Sequence, residues 1–322
     1  MPLRTKLTEK LGIAHPIILA PMGSASGGAL AKAVSDAGGL GLIGMGYGNQ
    51  DWLEREFLAA GNARVGCGFI TWSLAERSHL LDRALDHKPA AVMLSFGDPK
   101  PFVAAIKRAG AQMICQVQSV AQAVEAADLG ADIVVAQGTE AGGHGASRST
   151  LALVPAVVDA VRERNEQVVV VAAGGIADGR GLAAALMLGA HGVLVGTRFL
   201  ASNEALTPAP AKARILAARG DDTLRTRVFD IARRLDWPAI YTGRALRNDF
   251  SRQWHGREAE LERSLPAEAP RYAKAAEAND VDTAVVFAGE AVDLVHRIEP
   301  ARDIVSSIVR DAEAALAYDW TK

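Results

Sequence analysis

Residues 168–199 carry the reading that decides the fold. They run Val168-Val-Val-Val-Ala-Ala173, then Gly174-Gly-Ile-Ala-Asp-Gly179, then a helical stretch to Leu188, then Gly189-Ala190. A second apolar run follows, Gly192-Val-Leu-Val-Gly196, and leads into Thr197-Arg-Phe199. Short β-branched runs without polar alternation suit strands covered on both faces, the condition of a parallel sheet wrapped by helices. A glycine just past the helical stretch takes the left-handed conformation at least cost and passes the chain to the next strand.

The same unit recurs upstream. Apolar runs at 17–22, 39–44, 64–70, 91–95, 112–117 and 131–136 precede the two already quoted. Helical stretches at 28–37, 52–60, 74–87, 99–109, 119–129 and 151–164 separate them, and Gly110-Ala111 and Gly130-Ala131 repeat the junction. Eight β/α units in roughly 200 residues predict an α/β fold of the (β/α)8 TIM barrel type. An open doubly wound sheet is the rival, but no Gly-x-Gly-x-x-Gly fingerprint follows the first run. The barrel is expected over 1–203 and a smaller C-terminal helical cap domain over 204–299, with helices at 211–219, 223–235, 257–262 and 267–278. A last helix at 301–318, within 300–322, is expected to return to the barrel wall.

Composition narrows the function classes. A formal charge of −2 with 22% charged and 49% hydrophobic residues excludes both extended disorder and a basic field that would draw nucleic acid or anionic lipid. Cys67 and Cys115 sit in apolar runs and read as buried free thiols in a reducing compartment, not as metal ligands. The start, Met1 to Leu7, lacks the apolar core of a secretory signal, and no run is long enough to span a bilayer, so a cytoplasmic location and no membrane partner are expected. Rings are few, 8 Phe, 5 Trp and 4 Tyr, and Trp237, Tyr241, Trp254, Tyr272, Tyr318 and Trp320 all lie in the C-terminal third.

Barrel sites lie in the loops that follow the strands. Gly174-Gly175-Ile176 and Gly196-Thr197 follow the seventh and eighth runs, where bare backbone N–H groups can hold a phosphate. The sixth run ends in Gln137-Gly-Thr-Glu-Ala-Gly142-Gly143-His144, which places one imidazole at the barrel mouth as a base or as a hydrogen-bond donor to an anionic substrate. The other histidines, His15, His79, His87, His191, His255 and His296, read as structural. Ala20-Pro21-Met22 after the first run leaves space for a flat ligand, and Thr71 and Gln116 complete a polar ring.

These motifs in this order, together with Asp230-Ile-Ala-Arg233 and Trp237-Pro238, resemble the nitronate monooxygenase family, formerly called 2-nitropropane dioxygenases. The resemblance implies an FMN-dependent oxidoreductase that oxidises alkyl nitronates with dioxygen to a carbonyl compound and nitrite, through a flavin semiquinone. It implies propionate 3-nitronate as a target and detoxification as the role. It also implies that Ala20, Pro21 and Met22 line the isoalloxazine, with Thr71 and Gln116 at its polar edge. Gly142 and Gly143 would border the cofactor, and Gly174, Gly175, Ile176, Gly196 and Thr197 would bind it at the phosphate end. His144 would hydrogen-bond the nitronate or remove the α-proton of a neutral nitroalkane. Where many relatives carry a lysine, this chain has Gln116. The superfamily also includes NAD(P)H:quinone reductases and FMN-dependent enoyl-ACP reductases, which are the alternatives. A non-catalytic flavin binder is a further one and leaves His144 without a task.

Overall fold

The structure, a computed structural model, describes residues 3–318, so Trp320 lies outside the described residues. The first half alternates α1 (Lys6–Leu11), β1 (Ile17–Leu19), α2 (Gly28–Asp36), β2 (Leu42–Gly44), α3 (Gln50–Ala60), β3 (Gly66–Ile70), α4 (Thr71–Ala75), α5 (His79–Asp86), β4 (Ala91–Ser95), α6 (Lys100–Arg108) and β5 (Gln112–Val117). It continues through α7 (Val120–Asp128), β6 (Ile133–Gln137), β7 (Gly143–Gly145), α8 (Thr150–Arg164), β8 (Val169–Ala173), α9 (Gly179–Met187), β9 (Val193–Val195) and α10 (Thr197–Leu200). Eight of these strands pair in parallel in the order β1-β9-β8-β6-β5-β4-β3-β2. A bridge between Ile18 and Leu40 joins the two ends, with the Leu19 N–H donating to the Leu40 carbonyl at 2.9 Å, so the sheet closes into a (β/α)8 barrel.

The period of two in each strand sorts the core. Ile18, Met93, Ile114, Val135 and Val171 point inward and form one buried cluster, while Leu19, Val92, Leu94, Val134 and Val170 pack outward against the helices. Leu7 and Leu11 of α1 join the inner cluster and are fully buried, so one end of the barrel is plugged. Thr5 caps that short helix by accepting from the Thr8 N–H, and Gly12 ends it at φ 61°. The cavity lies at the opposite mouth, where the strands end.

The expected helix over 74–87 is broken: α4 starts directly at Thr71, and α5 follows a turn. The cap corrects the sequence reading more substantially. It holds α11 (Ala209–Ala217), β10 (Thr223–Thr226), α12 (Val228–Ala232), β11 (Thr242–Leu246), α13 (Asp249–Trp254) and α14 (Glu258–Glu277), so 223–235 is not one helix. Thr223 to Thr226 are drawn into a strand because β11 offers them an antiparallel partner, and tertiary pairing overrides a charged, helix-like composition. β11 in turn pairs with β7, the short strand that leaves the barrel after β6. The last helix, α15 (Ala301–Leu316), packs against α9 and α2 on the barrel wall.

Because the α1 plug lies at the far end from the mouth, Leu7→Ala should cost stability without touching chemistry. The expected loss is about 2–5 kcal/mol, read as a lower Tm with turnover within about twofold of the parent.

Candidate active site

His144 lies on β7, directly opposite Gly243 of β11. A Cβ at residue 243 would stand 3.0 Å from the Phe287 ring and 3.6 Å from His144 Nε2, so the absence of a side chain there makes room for both rings. From the barrel side, Gln137 Nε2 donates to the His144 carbonyl at 3.1 Å, while Gln118 and Gln116 donate to Gln137 Oε1 at 2.9 and 3.2 Å. From the cap side, the Arg225 guanidinium donates to the carbonyls of Thr139, Gly145 and Thr242, and Arg244 Nε reaches Thr139 at 2.9 Å. Burial, helped by neighbouring Arg244, pushes the Arg225 guanidinium down to about 10, still charged at neutral pH.

The imidazole has a carboxylate partner. His144 Nε2 lies 2.9 Å from Asp230 Oδ2, and both side chains are buried. A carboxylate only accepts, so Nε2 carries the proton and Nδ1 keeps its lone pair. Asp230 Oδ1 has no hydrogen-bond partner and faces Arg233 Nη1 at 3.9 Å. Trp237 stacks on the imidazole with ring centres 3.4 Å apart and planes 4° apart, and Phe96 and Phe287 stand at 6.4 and 5.6 Å. Burial lowers the His144 pKa below the ordinary imidazole value, against the upward pull of the Asp230 hydrogen bond and charge. The ring is therefore uncharged at neutral pH.

Its surroundings form a cavity of about 1270 Å³ at the barrel mouth, larger than the ~300–1,000 Å³ of most small-ligand sites. Ala20, Pro21 and Met22 line it, as do Gln116, Gly142, Gly143 and His144, and so do Gly174, Gly175, Ile176, Gly196 and Thr197. Thr71 does not. It is 1% exposed in the first turn of α4, its hydroxyl has no hydrogen-bond partner, and Ile70 takes the wall position instead. Four of the five described non-glycine residues with positive φ, Ser24, Phe96, Arg234 and Asn279, also lie on this wall, a clustering of backbone strain that accompanies functional sites.

The wall fits a phosphorylated flat cofactor. Gly174 and Gly175 adopt φ 102° and 71°, and a Cβ at 174 would stand 2.9 Å from the Gly138 carbonyl oxygen, so that turn presents bare backbone. It lies beside Gly196-Thr197, because β8 and β9 are hydrogen-bonded neighbours. The Thr197 hydroxyl accepts from the Gly289 N–H at 3.0 Å, which fixes it while leaving its own proton to donate. Gly68 on β3 lets the Pro21 ring settle against the strand: a Cβ there would be 2.3 Å from Pro21 Cγ.

Sequence reasoning gave no role to Asp230, Trp237, Phe96 or Gln137. Asp230 and Trp237 fall inside quoted motifs, yet no spacing rule links Asp230 to a histidine 86 positions away. Phe96 carries no signal beyond its place just after a strand.

The sequence model of the nitronate monooxygenase family matches residues 4–63 and 70–311. The chain belongs to the nitronate monooxygenase family. A nitronate monooxygenase of Neurospora crassa is 35% identical, over 93% of this chain and 89% of its own length. Among solved structures, FabK from Thermotoga maritima superposes with a TM-score of 0.83 at 31% identity, covering 97% of each chain. A nitroalkane oxidase from Streptomyces ansochromogenes does so with 0.79 at 27% identity, covering 97% of this chain and all of its own. Family membership makes this an oxidoreductase. Among the described residues, no helix is long and apolar enough to cross a membrane, and no His, Cys, Asp or Glu group is placed to hold a metal ion.

In this nitronate monooxygenase family member, Arg225 fixes the histidine strand by donating in several directions at once. Lysine keeps the charge but not the fork. Arg225→Lys is expected to lower kcat about tenfold or more, measured by oxygen uptake, with a modest fall in Tm. Unchanged kcat would show that β7 holds its place without it.

Proposed function

We propose that this chain binds FMN at the barrel mouth and oxidises alkyl nitronates with dioxygen, releasing a carbonyl compound and nitrite. The observation that carries the reading is the buried His144–Asp230 pair beside a wall of bare glycine backbone. Family membership and the likeness to a nitroalkane oxidase support it.

In this proposal the barrel, 1–203, holds the cofactor and the cap, 204–299, orients the base. Gly174, Gly175, Ile176, Gly196 and Thr197 hold the phosphate end, Gly142 and Gly143 border the cofactor, and Ala20, Pro21, Met22 and Gln116 lie along the ring system. The flavin, when bound, supplies a one-electron acceptor that can pass electrons on to dioxygen. His144 supplies the proton chemistry. Its unprotonated Nδ1 takes the α-proton from a neutral nitroalkane, and Asp230 keeps the ring in the tautomer that leaves Nδ1 available. With a substrate already present as the nitronate, no proton is removed, and the imidazole only orients the anion. Trp237, Phe96 and Phe287 exclude water from the reacting carbon.

The two substrate forms separate these roles. His144→Ala should lose about 10²- to 10⁴-fold of kcat/KM with a neutral nitroalkane and distinctly less with the preformed nitronate. Full turnover of both would remove the histidine from the mechanism. Asp230→Asn takes away the charge and hydrogen bond that raise the His144 pKa, so that pKa falls further. The acid limb of the kcat/KM profile for the nitroalkane should therefore move to lower pH while the plateau drops. An acid limb that stays in place or moves upward would contradict the pairing. For the cofactor, purified protein that shows no oxidised-flavin absorbance after incubation with FMN would overturn the reading. Rapid bleaching of that absorbance by NADH or NADPH without oxygen would turn it towards a reductase.

A further inference from the structure

Trp237 is buried and lies flat on the His144 ring, yet the stack alone does not fix where the indole sits, because parallel rings tolerate a range of offsets. Four other rings surround it. Trp72, Phe96, Tyr241 and Tyr47 meet the indole edge to face, at 77°, 74°, 85° and 83°, and such contacts fill space without setting its rotation in its own plane. One contact is directional. The indole Nε1–H donates to the Tyr47 hydroxyl at 3.1 Å, and among the described residues it has no other acceptor. An indole nitrogen only donates, so the phenol oxygen accepts. Burial pushes the Tyr47 pKa above the ordinary phenol value, so the hydroxyl is intact at neutral pH.

The barrel loop after β2 holds that hydroxyl still. Tyr47 stands between Gly46 and Gly48, at φ 53° and 87°, and the Gly48 N–H closes the turn on the Met45 carbonyl at 3.1 Å. The Tyr47 carbonyl accepts from the buried Ser73 hydroxyl of α4 at 2.8 Å and from Arg77 Nη1 at 3.4 Å. Tyr47 meets the cap a second time, since the Arg233 guanidinium lies 5.3 Å from its ring centre and Arg233 Nη1 faces Asp230 Oδ1 at 3.9 Å. One barrel residue, 190 positions from Trp237 in the chain, therefore touches the stacking ring directly and stands behind the carboxylate partner of His144. The charges that act on the imidazole are Asp230, Arg233 and Arg225, and loss of the Tyr47 hydroxyl removes none of them.

We propose that Tyr47 is a positioning residue for His144: its hydroxyl fixes the Trp237 indole over the imidazole and so keeps one face of that ring dry. Without the hydroxyl, a buried N–H is left with no acceptor, a cost relieved by tilting the indole edge towards water or by admitting water beside it. Either response wets the imidazole. Burial is the largest influence on the His144 pKa and lowers it, so relief of burial raises it. More of the ring then rests as imidazolium, with no lone pair on Nδ1 for an α-proton. The inference rests on the reading of His144 as the base for neutral nitroalkanes.

The test measures the ring itself. The full chain as purified is labelled with a heavy nitrogen isotope at histidine, and the His144 signal, identified by its loss from His144→Ala, is titrated by NMR in the parent, Tyr47→Phe, Trp237→Phe and the double variant. Tyr47→Phe should raise the His144 midpoint by about half a pH unit or more. Trp237→Phe, which removes the indole N–H, should raise it at least as far, and the double variant should match Trp237→Phe because the residue at 47 then has nothing to hold. An unchanged midpoint in Tyr47→Phe, or a further rise when it is added to Trp237→Phe, would overturn the positioning role. Oxygen uptake by the FMN-loaded enzyme separates this from the chemistry. In Tyr47→Phe the acid limb of kcat/KM for a neutral nitroalkane should move up with the midpoint, while turnover of the preformed nitronate stays within about twofold. A shifted midpoint with an unmoved acid limb would overturn the reading of His144 as the base and leave the hold of Tyr47 on the ring standing.

Discussion

The site depends on three residue pairs, Gly143 with Arg244, His144 with Gly243 and Gly145 with Thr242. A strand this short has little stability of its own. Its position is imposed from two sides, by Gln137 at the end of a barrel strand and by Arg225 in the cap. The barrel contributes the histidine and the bare backbone turns, and the cap contributes Asp230 and Trp237. Neither part alone contains the pair that gives His144 its tautomer. The geometry around His144 is a property of the junction, and a change that loosens the cap reaches the imidazole without altering any residue that touches it.

Local periodicity explains which parts of this architecture can be read from sequence. The barrel strands and their following helices announce themselves because burial on both faces leaves unbroken β-branched runs, and glycine follows several of the helices, as at Gly38, Gly61, Gly110, Gly130 and Gly189. The glycine turn at 174–175 was legible for the same reason, since its positive φ constrains the residue type. What was not legible depends on partners remote in the chain. β10 exists because β11 pairs with it, and 223–235 taken alone reads as helix. Thr71 illustrates a local failure: the strand ends at Ile70 and a helix begins at the next residue, so the alternation that would have aimed Thr71 at the mouth stops one position early. The Asp230–His144 contact joins residues with no common element, and only the folded cap creates it.

The charges around His144 show why burial and pairing are both needed. Burial is the largest influence on its pKa and lowers it; Arg233 and Arg225 add to that, and Asp230 alone opposes them. Were Asp230 to dominate, the ring would rest as an imidazolium, with no lone pair to accept a proton. Were it absent, either nitrogen could carry the proton, and half of the purpose of a fixed ring would be lost. This balance favours a ring that is neutral yet single-tautomered. A proton on this ring would be stabilised by Asp230 and disfavoured by burial and the two arginines, so in the proposed mechanism the imidazole returns readily to its uncharged form. Trp237, stacked flat on one face of the imidazole, keeps water off it, so these opposing influences act at close range with little screening.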